Sequence, residues 1–260
     1  MPVQTLFLAI AAAVALIIFF LSLINENERG QRPKRVRDTA LLAVPVLILS
    51  VLSVLHARQV IQLDWLFGSE VADIGPIEYG TALFFGVSSV LLVLAGLRAG
   101  GLNGAVYVGA AIVCFFVAGE EISWGQWIFH WETPEAMAAV NLQHETNLHN
   151  LVDPRLYDLV YAVAGFAFLV IALIASVPVW RHEVGRTAFQ CPGLAPLGDF
   201  IEWMARRPVG LGLILATAIL LQHESFEEFS EFMLGFALLD FMCRVTRNGP
   251  ARTTYALRPA

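Results

Sequence analysis

Between Pro76 and Trp124 the chain holds two long apolar runs, parted by the glycine-rich turn GGLNG and carrying only the charges Glu78, Arg98, Glu120 and Glu121. An apolar run of about 20 residues matches the thickness of a hydrocarbon core when it is helical. A helix also satisfies its own backbone there, which isolated strands and loops cannot do. Runs of the same character lie over 3–24, 39–56, 154–180, 208–222 and 226–242, so the sequence predicts seven spans. Asp153 and Pro154 suit the cap and first residue of the fifth. The chain is 57% hydrophobic and only 15% charged, against about a quarter charged in a soluble domain. The expected fold is all-α: a polytopic transmembrane helical bundle forming a single domain over 1–243, with a flexible basic tail over 244–260. Spans six and seven are joined by the polar stretch HESFEEFSE. Arg206 and Arg207 before the pair, and Arg244 and Arg247 after it, favour a hairpin over one interrupted helix.

Orientation follows from the basic residues, because cytoplasmic loops gather Lys and Arg. With the N-terminus outside and the C-terminus cytoplasmic, 14 of the 16 basic residues fall on the inner side, and only Arg58 and Arg155 fall outside. The outer loop 129–153 and the cytoplasmic loop 181–207 each have room for a short amphipathic helix, the latter near Asp199 to Arg206. Trp124, Trp127 and Trp131 are expected at the outer boundary and Trp180 and Trp203 at the inner one, as an aromatic belt. Gly119 and Gly125 are assigned to close helix packing.

The same topology sorts the acids and histidines. His56, His130, His144, His149 and His223 lie outside, and 15 of the 22 carboxylates lie outside or at the outer membrane edge. Counting about 1.5 Å of rise per residue from Ala105 puts Glu120 and Glu121 about 22 Å along their helix, short of a roughly 30 Å core. His223, and Glu231 counted back from Arg244, reach a similar depth. Ionisable groups at that level cost about 2.5–3.5 kcal/mol each on insertion scales and as a rule face a partner or a wet cavity. Several carboxylates together also need protons or a cation between them. His223, Glu227 and Glu231 recur at four-residue steps and share a helix face, and Glu145 and His149 have the same spacing. Mixed His and carboxylate ligands suit zinc, manganese or iron. The expected site is therefore a divalent-metal centre of Glu145, His149, His223, Glu227 and Glu231, with Glu120 or Glu121 as general base.

The segments GEEISWGQWIFHWETPE and ETNLHNL, spanning Phe116 to Leu151, resemble uncharacterised bacterial multi-pass membrane proteins. The resemblance implies a bacterial inner membrane, in which the outer side of the topology above is periplasmic, and carries no activity with it. Seven spans in this orientation are also similar to the ceramidase and progestin-receptor-like membrane hydrolases in architecture, but their Ser/His/Asp pattern and late HxxxH pair are not reproduced.

Three functional classes remain open. The first is a metal-dependent membrane hydrolase acting on a lipid or lipid-linked substrate. The second is a proton or cation pathway, for which the inner halves of the spans offer little beyond Asp240. The third is a non-catalytic subunit or assembly factor among other membrane subunits. Membrane lipids are expected partners in each case. A net charge of -6 argues against nucleic acid. The single lysine, Lys34, lies in a loop and excludes a retinal Schiff base within a span. Cys114, Cys191 and Cys243 form no CxxC pair.

Overall fold

The computed structural model describes residues 59–67, 75–142, 144–151, 177–204 and 224–248, with isolated positions between 48 and 56 and between 156 and 174. Expected spans one and six lie outside the described residues, and spans two and five almost entirely so. Among the described residues there are helices and no strands. They are α1 (Asp64–Phe67), α2 (Pro76–Ala99), α3 (Gly101–Glu121), α4 (Gln126–Phe129), α5 (Glu135–Ala138), α6 (Pro178–Gln190), α7 (Ala195–Met204) and α8 (Glu224–Asn248). Two of them, α2 and α3, are long and apolar enough to cross a membrane.

Local chemistry sets the limits of α2. Pro76 occupies its first turn, where no intrahelical donor is needed, and Glu78 reaches back to accept the Gly75 N–H at 2.6 Å. Gly100 and Gly101 end it with φ of +63° and +54°, a turn that residues with a Cβ resist. The chain reverses there, and α3 packs antiparallel along α2. Gly96 and Gly104 let the two backbones touch: a Cβ on Gly104 would lie 2.6 Å from the Gly96 carbonyl oxygen. Farther along, the Ser89 hydroxyl donates to the Ala111 carbonyl at 2.8 Å.

The third long helix, α8, runs parallel to α2. Phe84 meets Phe232 and Phe236 near one end, and Arg98 donates to the Thr246 carbonyl at the other, at 2.8 Å. The polar HESFEEFSE stretch is continuous helix from Glu224 onward, and the helix continues through Asn248, past the expected start of the tail. The three helices thus carry Glu78, Glu121, Glu228 and Glu231 at one end and Arg98, Arg244 and Arg247 at the other.

The core lies toward the basic end. There α7 wedges against α3 and α8, with Ile201, Trp203 and Met204 buried beside Phe241 and Met242. Tyr107 donates to Asp199 at 2.8 Å and Trp203 Nε1 to Asp240 at 2.7 Å. The segment read as a loop with one short helix holds two, α6 and α7, packed together.

Candidate functional site

At the acidic end, α3 stops at an unusual turn. Ser123, Trp124 and Gly125 have φ of 45°, 55° and 88° in succession, and for the two non-glycine residues this left-handed geometry costs about 1–2 kcal/mol each. Side chains hold the turn in place. The Trp124 ring lies on Gly119, where a Cβ would come within 2.9 Å of it. Its edge meets Phe115 and Phe116, and Nε1 donates to Glu120 Oε1 at 2.6 Å. Gly119 therefore receives an indole, not a neighbouring helix. The other Glu120 oxygen accepts the Leu148 backbone N–H at 2.6 Å, so this carboxylate ties the end of α3 to the following loop.

Glu145 is buried and plays a similar part inside the loop. Its carboxylate accepts from the Ser123 hydroxyl at 2.5 Å, from Asn147 Nδ2 at 2.8 Å and from Trp127 Nε1 at 3.0 Å. Asn141 braces the group, accepting the Glu145 N–H at 3.0 Å and donating to Asn147 Oδ1 at 2.9 Å. Gln126 accepts from Thr146 N at 2.7 Å and Thr133 Oγ1 at 3.1 Å. Two of the three tryptophans expected at the outer boundary, Trp124 and Trp127, thus direct their N–H groups at carboxylates of the protein. Trp131 is exposed and stacks on Phe129.

A separate carboxylate group forms where side chains from the end of α3 and the start of α8, both packed on α2, reach one another. One oxygen each from Glu121, Glu228 and Glu231 lies within 4.8 Å of the others, and all three residues are half-buried. Glu121 and Glu231 face one another from different helices at that spacing. The charges of Glu228 and Glu78 also act on Glu121. Opposed carboxylates at this spacing repel strongly unless a proton or a cation intervenes. Three converging oxygens with flexible stems suit a hard divalent cation.

Of the residues singled out from sequence, Glu121 and Glu231 come together here. Glu145 and Glu120 are engaged in the loop network, outside this group. The side chains of His149 and Glu227, and all of His223, lie outside the described residues. Sequence spacing missed Glu228. It stands three before Glu231 and so shares its helix face, but the four-residue steps from His223 drew attention to Glu227 instead. Ser123, Asn141 and Asn147 were missed as well, since short polar side chains near a helix end carry no distinctive signal. Comparison with protein-family models, with curated proteins and with solved structures finds no match.

Proposed function

We propose that this chain is an integral membrane protein holding a divalent cation between α3 and α8 at the outer membrane edge, and that it uses the cation to hydrolyse a lipid or lipid-linked ester or amide. The observation that carries this reading is the convergence of Glu121, Glu228 and Glu231 from two helices. Exposure supports the membrane setting. In a soluble core helix the apolar residues are mostly buried, whereas only 33% and 22% of the apolar stretches of α2 and α3 are. Three carboxylates favour magnesium, calcium or manganese, and His149 or His223 would extend the set toward zinc or iron.

A bound cation would supply an activated water at neutral pH. Glu121, Glu228 and Glu231 would hold such an ion, and Glu78, whose charge acts on Glu121, would take the proton of the attacking water and return it to the alcohol or amine that departs when the ester or amide bond breaks. Glu120, occupied by Trp124 and Leu148, serves as a strut.

Elemental analysis of the purified protein tests the site. The expected result is about one equivalent of metal, lost in E121Q, E228Q and E231Q, together with fatty-acid release from phospholipid vesicles that follows the metal. Metal-free protein that takes up none on dialysis against magnesium, calcium, manganese, iron or zinc would end this reading.

A second reading is a proton pathway. Asp199 and Asp240 lie buried or half-buried near the basic end, and the Ser88 hydroxyl, buried on α2, has no hydrogen-bond partner among the described residues. Proton flux into liposomes that disappears in E121Q and D240N, in a protein free of metal, would favour it.

A further inference from the structure

The loop between α3 and Leu151 has its polarity inverted. Its interior is polar: Ser123, Asn141, Glu145 and Asn147 are buried, with Gln126 and Thr133 bonded into the same set. Its surface carries large apolar side chains: Ile128 is 48% exposed, Phe129 70%, Val140 65%, Leu142 64% and Leu148 54%. A loop bathed in water folds the other way round, and exposed apolar patches of this kind mark a contact.

The backbone is spent internally as well. The N–H groups of Val140, Asn141, Leu142, His144, Glu145, Thr146 and Leu148 all donate within the protein. Internal satisfaction is what hydrocarbon demands of a backbone that is not regular helix. A protein partner would offer polar groups of its own and impose no such demand.

The helix that leads into this loop is apolar and exposed as well: Ile112, Val113, Phe115 and Phe116 of α3 are exposed, and Phe115 and Phe116 meet Trp124 at the turn where the loop begins. His130, Glu132, Glu135 and His144 are exposed too, and these need water or headgroups. Such a mixture sits at the boundary, with apolar groups about 5–10 Å into the headgroup and acyl region.

We infer that residues 126–148 form a membrane-embedded loop that rests in the outer leaflet of phospholipid, its apolar surface against acyl chains and its Ser123–Glu145–Asn147 network sealed beneath. This rests on the membrane reading above and deepens it. Glu120 bonds to Leu148 of this loop and neighbours Glu121 of the carboxylate group, so a lipid substrate would reach the site sideways from the leaflet.

Single-cysteine labelling tests the placement. The C114A/C191S/C243S protein is reconstituted in phosphatidylethanolamine–phosphatidylglycerol vesicles with a charged, membrane-impermeant maleimide on both sides. Labelling is expected to be lost in I128C, L142C and L148C, as in the span controls L83C and V113C, and retained in E135C. Should the loop variants label like E135C while the span controls stay protected, the loop faces water or awaits a protein, and the inference fails alone. Should L83C and V113C label too, the membrane reading fails with it. Fluorescence of the otherwise native protein avoids any folding defect of the cysteine-free background. Acyl-chain-brominated phosphatidylcholine should quench a component that W131F removes, and a Trp131 component quenched instead by aqueous iodide overturns the placement.

Discussion

Glu121 at the last turn of α3 and Glu231 in the second turn of α8 bring carboxylate oxygens within 4.8 Å of one another. Two carboxylates so placed repel unless a proton or a cation lies between them. A cation that displaces that proton binds the folded protein alone and stabilises it. At a free concentration 100 times its Kd the gain is about 2.7 kcal/mol. Addition of manganese should therefore raise the unfolding midpoint in detergent, chelator should return it, and E121Q should abolish the difference. Because the ligands must shed protons to bind, the apparent affinity falls as pH falls. Titrations at two pH values with the native protein and E231Q check the sign, and an affinity that strengthens in acid would contradict it.

The Glu145 network yields a prediction that separates a structural carboxylate from a metal ligand. Ser123, Asn147 and Trp127 all present donors to it. The amide of E145Q sets its own N–H group against one of them. Hydrogen bonds to a charged group contribute about 1.5–3 kcal/mol each, so the loss should fall in or above that range. Faster amide exchange over residues 126–148 is the expected signature, with metal content unchanged. Loss of metal from E145Q would return Glu145 to the ligand set.

The close contact of α2 and α3 gives opposite outcomes at two glycines of one helix. A Cβ at Gly104 meets a backbone carbonyl, which cannot step aside, so G104A should force the helices apart and cost about 1–3 kcal/mol. At Gly109 a Cβ meets nothing within 4 Å, and G109A should be neutral or gain up to about 1 kcal/mol from helix propensity. Unfolding in mixed micelles, followed by helical circular dichroism, compares the two.

Apolar length made α2 and α3 readable from sequence to within a few residues at their outer bounds, since a hydrocarbon-spanning run needs no partner to be recognised. Glu121 and Glu231, which the structure brings together, stood out in the sequence because carboxylates expected below a membrane surface would demand a counter-charge. The approach of α3 and α8 side chains, each helix packed on α2, is tertiary, and periodicity along either helix is silent on which acid of the EE pairs joins the group. The turn at Ser123–Trp124 was equally hidden. Both residues ordinarily avoid positive φ, and only the indole seated on Gly119 and the carboxylate of Glu145, 22 positions on from Ser123, make that geometry tenable.

At the basic end, Trp203 and Asp240 test whether α7 belongs to the bundle or rests on it. Trp203 is 1% exposed and its indole N–H donates to Asp240 Oδ2 at 2.7 Å. W203F keeps an aromatic ring beside Phe200 and Phe241 but removes the donor and leaves a carboxylate oxygen without it, at a cost of about 1–3 kcal/mol. D240L alone removes the acceptor and leaves the indole N–H unmet. In the double variant both polar partners are gone, so its destabilisation should be smaller than the sum of the two single ones by about 0.5–3 kcal/mol. A sum that is simply additive would mean that the bond contributes nothing and that packing alone holds α7 against α8. The same three proteins bear on the proton reading: flux that survives in D240L removes Asp240 from any path.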